Sequence, residues 1–74
     1  MPTIAVEGPY RLNVYFNDHP PPHCHVFWGD KEALVKLSDQ GHLEGRHLPA
    51  KGRKAVAKHI GALRDAWQKF NGGS

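Results

Sequence analysis

His23-Cys24-His25-Val26-Phe27-Trp28-Gly29-Asp30-Lys31-Glu32-Ala33-Leu34-Val35-Lys36-Leu37 is the stretch that decides the fold. Cys24, Val26 and Trp28 alternate with His23, His25 and Phe27, the period of two expected of a strand with one buried face. Ala33, Val35 and Leu37 repeat the pattern, facing inward. Gly29-Asp30 between the two runs reads as a hairpin turn, although Asp-Gly would be the stronger order. Two alternating runs joined by a tight turn define an antiparallel pair.

The pattern extends in both directions. Upstream, Arg11–Phe16 alternates with Leu12, Val14 and Phe16 on one face. Asn17-Asp18-His19-Pro20-Pro21-Pro22 ends that run, because prolines remove backbone donors and favour polyproline geometry. Thr3–Val6 is a short apolar stretch cut off by Gly8-Pro9. Downstream, Ser38-Asp39-Gln40-Gly41 turns the chain into a short strand around His42-Leu43-Glu44. After Gly45 the period changes. Val56, Ile60, Leu63, Trp67 and Phe70 are spaced as one stripe of an amphipathic helix. Pro49 suits a first helical position and Asn71-Gly72-Gly73 a stop. Gly52 and Gly61 each weaken the helix by about 1 kcal/mol relative to alanine, and a break near Gly61 is compatible with the pattern.

Strands followed by a helix predict an α+β fold. A small antiparallel sheet of three to five strands carries a C-terminal amphipathic helix on one face. The 74-residue chain reads as a single domain. Residues 1–45 hold the strands and proline-rich turn, 46–70 the helix and 71–74 a tail. A domain this small buries only about 60% of the surface its unfolded chain exposes. Its one cysteine, Cys24, has no internal partner, so a metal, a partner chain or good packing must supply the remaining stability.

Hydrophobic residues at 39% and charged residues at 23% fit a globular chain. No stretch approaches the roughly 20 apolar residues of a membrane span. The start, Met1-Pro2-Thr3-Ile4-Ala5-Val6, lacks the basic region of a signal peptide, and the expected compartment is a bacterial cytoplasm. Residues 1–45 carry Arg11, Lys31 and Lys36 against Glu7, Asp18, Asp30, Glu32, Asp39 and Glu44, a net charge of −3. Residues 46–74 carry seven basic side chains against Asp65, a net charge of +6. Lys51, Lys54, Lys58 and Lys69 fall opposite the apolar stripe. They read either as a solvated face or as a contact for DNA, RNA or an acidic partner protein.

Asp18-His19-Pro20-Pro21-Pro22-His23-Cys24-His25-Val26 concentrates the chemistry. His23 and His25 leave one face of a strand, which turns both rings away from the helix-covered core. His19 comes from the turn and can fold over them. Three readings stand. His23, His25 and His19 or Asp18 can hold zinc or another divalent transition metal. His23 and His25 can exchange protons as a catalytic pair, cleaving RNA without a metal if a cationic side chain holds the phosphate. Or the histidines only lock the hairpin. Cys24 is expected to be buried, and His42, His47 and His59 to lie at the surface. Tyr15 and Phe27 fall on the outward face, a stacking platform or interface. No phosphate loop, nucleophile elbow, Cys-x-x-Cys pair or dinucleotide fingerprint is present.

Met1-Pro2-Thr3-Ile4, Tyr15 before Asp18-His19, Pro21-Pro22-His23-x-His25-Val26, Gly29, Ala33, Gly45, Leu48-Pro49 and Trp67 resemble a small bacterial family of unknown function. Its hallmark reads D-H-x-P-P-H-F-H-V. The resemblance implies a stand-alone protein encoded beside a second small gene, in an arrangement like a toxin–antitoxin pair. It therefore implies a partner protein, the product of the adjacent gene, and no catalytic residues. Cys24 stands where that pattern has phenylalanine, and Pro20 where asparagine is common. The expected function is a binding module contacting that partner, and nucleic acid as well, through the basic helix face. A homo-oligomer fits too. The alternative is an enzyme built on His19, His23 and His25.

Overall fold

The computed structural model describes residues 3–16 and 18–72. Met1, Pro2, Asn17, Gly73 and Ser74, which enter the expected turn, tail and resemblance, lie outside the described residues. The architecture is α+β. Strands β1 (Thr3–Glu7), β2 (Tyr10–Asn13), β3 (His23–Trp28), β4 (Lys31–Lys36) and β5 (His42–Gly45) precede helices α1 (Ala50–Lys58) and α2 (Ile60–Trp67). The sheet is a five-stranded antiparallel meander in chain order. No described helix is long and apolar enough to cross a membrane.

Glycine sets two of the connections. Glu7 pairs with Tyr10 and Trp28 with Lys31, so Gly8-Pro9 and Gly29-Asp30 are both two-residue turns. Gly8 and Gly29 each sit at φ 59° in the first turn position. That is the type II′ arrangement, whose twist matches the flanking strands. Gly-Asp in that order is therefore a good hairpin turn. Thr3–Glu7, read above as an apolar stretch, becomes an edge strand through the same device at Gly8-Pro9.

Register places the core. Leu12 pairs with Val26 and Val26 with Ala33, while Cys24 pairs with Val35. These side chains are buried on one face, together with Val56, Leu63 and Trp67 from the helices. Ile60 and Phe70 pack on their margin, so the whole helical stripe faces the sheet.

Three expectations need correction. β2 ends at Asn13, so the alternation does not reach Phe16, which is 60% exposed rather than inward. Its ring packs at a tilt against Phe70 instead, centroids 4.2 Å apart. Residues 46–70 are not one helix. Helix begins at Ala50, breaks at His59 and widens into a π-helical turn over Gln68–Gly72. The break expected near Gly61 falls at His59 (φ −107°, ψ 16°). Glu7 holds the junction, with its carboxylate 3.1 Å from His59 Nε2 and 3.3 Å from Lys58 Nζ. Finally, the His23 ring does not point away from the helices. It is 4% exposed and packs on Trp67, ring centroids 5.1 Å apart.

Candidate functional site

The segment between β2 and β3 carries Asp18 back over the start of β3. The Asp18 backbone N–H donates to Asn71 Oδ1 at 2.7 Å, and Asn71 Nδ2 donates to the Tyr15 carbonyl at 2.9 Å. One amide from the final turn of the chain thus clamps both sides of the segment. The His19 N–H donates to Asp18 Oδ1 at 3.1 Å. Asp18 Oδ2 is left facing His23 Nε2 at 2.9 Å and His25 Nε2 at 3.3 Å. Burial pushes the Asp18 carboxyl up, but the hydrogen bond from His25 and the charge of His23 outweigh it, and its pKa falls below the ordinary value.

Each imidazole has a second partner. His23 Nδ1 donates to the Pro21 carbonyl at 2.7 Å, within a turn whose Pro20–Pro21 peptide is cis. His25 Nδ1 lies 2.8 Å from Glu32 Oε2. The Tyr15 ring stands edge-on to His25 at 4.5 Å. Asn13, directly opposite His25 in register, donates from Nδ2 to the Tyr15 hydroxyl at 3.1 Å. Phe27 stacks beside His25 and carries the Arg11 guanidinium over its ring at 5.5 Å.

Asp18, His23 and His25 each offer one donor atom, all within 4.8 Å of one another, and so are the described residues placed to hold a metal. His19 is not in this group. Its ring is exposed on the wall of the adjoining cleft, a space of about 350 Å³ that Leu34, Leu43 and Glu44 also line. Asp18, rather than His19, folds over the two histidines.

The expected basic face divides. Lys51, Lys54 and Lys58 edge a second groove of about 250 Å³, opposite Gly8, Pro9 and Tyr10. Lys69 borders a different depression with Ile4, Ala62 and Phe70. The groove and the histidines lie at opposite ends of the sheet. Tyr10 packs on Trp28, at the far end of β3 from His23. Five residues of strand correspond to about 16 Å.

Glu32 and Asn71 belong to the site without having been singled out. Glu32 was legible, since the hairpin register makes it a diagonal neighbour of His25 on the same face. Asn71 reads locally as a helix stop, and nothing in its neighbourhood announces a partner 53 residues away. His42 and His47, expected as scattered surface residues, are exposed but stacked on each other at 4.1 Å.

Neither a curated protein nor a solved structure matches the chain. A family match covers residues 10–68, from β2 through α2, and so contains Asp18, His23, His25 and Lys51 to Lys58 but neither Lys69 nor Asn71. By that match the chain belongs to the family described as a domain of unknown function, DUF4160.

Proposed function

We propose that this chain is a small intracellular binding module, one member of a toxin–antitoxin-like pair. It contacts an acidic partner protein, the product of an adjacent small gene, through the groove between α1 and the β1–β2 turn. One observation carries this reading. Lys51, Lys54 and Lys58 stand on successive turns beside an apolar strip formed by Pro9, Tyr10 and Ala55, and Glu7 is the one acid lining the groove. The Lys51 and Lys54 ammonium groups, with Lys58 already beside Glu7 at 3.3 Å, flank an apolar floor and suit a carboxylate-bearing segment, the charges steering association and the floor supplying burial.

The test is co-purification with the adjacent gene's product, followed by titration at rising salt. Lys51→Gln/Lys54→Gln is expected to weaken the complex about tenfold and flatten its salt dependence. A double variant that binds like the parent overturns the reading. DNA or RNA binding with a log–log salt slope of about 0.9 per phosphate contact would make nucleic acid the occupant of the groove instead.

The enzyme reading is narrowed by charge. A metal-free ribonuclease needs a cation near its histidines to hold phosphate. None of the residues lining the histidine cleft is lysine or arginine, Lys36 opposite His23 on β4 turns its ammonium to Asp39 at 3.7 Å, and the lysine groove is at the other end of the sheet. Of the two enzyme forms, the metal-dependent hydrolase is the one this arrangement favours.

A further inference from the structure

We infer that Asp18, His23 and His25 form a divalent transition-metal site in which both imidazoles ligate through Nε2. The argument starts from where the ring protons must be. The Pro21 carbonyl can only accept, so His23 carries a proton on Nδ1, 2.7 Å away. The Glu32 carboxylate likewise only accepts, so His25 carries one on Nδ1 at 2.8 Å. A neutral imidazole has a single ring proton. In the neutral state of these tautomers both Nε2 atoms present lone pairs toward Asp18 Oδ2, itself an acceptor, at 2.9 Å and 3.3 Å, whereas the hydrogen bond from His25 and the charge of His23 that lower the Asp18 pKa belong to the doubly protonated rings. Three acceptors converging on one point repel unless something positive lies between them. That can be an extra proton on each ring or a single cation.

Three features favour the cation. The spacing is that of a coordination shell, because atoms ~2.1 Å from a common metal stand ~3.0–3.4 Å apart in octahedral or tetrahedral geometry. The two separations from Asp18 fall at or near that range, as hydrogen bonds to protonated rings also would, and the three donor atoms all lie within 4.8 Å of one another. The outer partners are those of a metal-ligating histidine, which donates its remaining N–H to a carbonyl or a carboxylate and so fixes tautomer and ring angle. Here one ring has each kind. The surroundings are also electron-rich. Glu44 lines the same cleft as Asp18, no lysine or arginine does, Lys36 opposite His23 is drawn to Asp39 at 3.7 Å, and the buried Asn13 Oδ1 opposite His25 has no hydrogen-bond partner among the described residues.

The donor set selects the ion. Two imidazoles and one carboxylate suit zinc, iron(II) or manganese(II) rather than calcium or magnesium, which take oxygen ligands. Three protein ligands on one side leave coordination positions open toward the cleft. The arrangement is held before any ion arrives, through the Asn71 clamp on Asp18 and the packing of His23 on Trp67. This site is independent of the lysine groove, and either can fail without the other.

The test uses the full chain without an affinity tag, stripped with chelator, and titrated with zinc sulfate by calorimetry and with cobalt(II) by visible absorption. One zinc per chain is expected, with cobalt bands that zinc abolishes. Asp18→Asn and His25→Gln should each weaken zinc binding at least tenfold while the far-ultraviolet dichroism stays that of the parent. Glu32→Gln should weaken it by about 10–100-fold. His42→Gln/His47→Gln, which removes the stacked surface pair, should leave it unchanged. His23 is avoided because its ring is part of the packing against Trp67. Absence of zinc and cobalt binding at micromolar concentration overturns the proposal and leaves the cluster as an ion-paired lock on the hairpin. Binding that survives Asp18→Asn/His25→Gln, or that follows His42 and His47, overturns it equally.

Discussion

Gly52 lies against Leu48 so closely that a Cβ built on it would stand 2.5 Å from Leu48 Cδ1 and 3.0 Å from Tyr10 Cε1. The residue that weakens α1 by propensity is what lets the helix approach Leu48 and Tyr10. Gly61 is different, with nothing within 4 Å of its Cβ position. The two glycines should therefore respond to alanine with opposite signs. Gly52→Ala is expected to destabilise by about 1–3 kcal/mol through overpacking. Gly61→Ala should stabilise by up to about 1 kcal/mol, the propensity difference alone. Urea midpoints of the two variants decide it, and equal signs would refute the close approach.

Trp67 connects the core to the histidines, being 8% exposed and in ring contact with His23. Trp67→Ala should cost about 3–5 kcal/mol, a large share of what so small a domain has. Equilibrium unfolding measures the cost, and a variant that melts like its parent would place the core elsewhere.

Sheet and stripe were legible because both are periodic, and periodicity is local. Val26 and Val35 announce their face by alternation, and Leu63 by its helical spacing. What escaped depends on residues distant in sequence. Phe16 obeys the strand pattern yet lies outside the strand, because Asn13 ends the pairing and Phe70 offers it a partner. A break near Gly61 was legible, but that it sits at His59, against Glu7 from 52 residues earlier, was not. In the cluster, His23 and His25 were visible as a strand pair, but choosing between Asp18 and His19 required the Asn71 clamp. Lys51, Lys54 and Lys58 share one groove while Lys69 borders another depression, because the helical chain breaks at His59 between them.

Acid should act through Asp18. Its native pKa lies below the ordinary 3.8, against burial, because His25 hydrogen-bonds it and the charge of His23 faces it. His25 in turn faces Glu32. A depressed native pKa means the unfolded chain takes up the proton first as pH falls. The stabilisation is thus complete above the unfolded value and is lost as pH drops through the native one. Glu7 acts with the same sign, its pKa lowered by His59 and then Lys58. Urea midpoints between pH 5 and pH 2 should fall less steeply for Asp18→Asn than for the parent. Parallel slopes would exclude Asp18 from acid unfolding.

Alkali should act through Cys24. The thiol is fully buried beneath the histidines, and burial raises its pKa from 9.0 to about 12. The sign is opposite to that of Asp18. The native state holds the proton more tightly than the unfolded chain does, so stability is intact below pH 9 and declines as pH rises toward 12. A difference of three pKa units corresponds to about 4 kcal/mol at the end of that range, and roughly half is gone midway. Cys24→Ala should begin lower, by about 1–2 kcal/mol for the lost packing, but lose less between pH 8.5 and 10.5. Other groups titrating there are common to both proteins and cancel in the difference. The same burial predicts that a thiol reagent labels the native protein only through opening, so its rate should rise with urea in step with unfolding. Labelling in buffer at the rate of a free thiol, or parallel alkaline slopes for parent and variant, would refute the assignment.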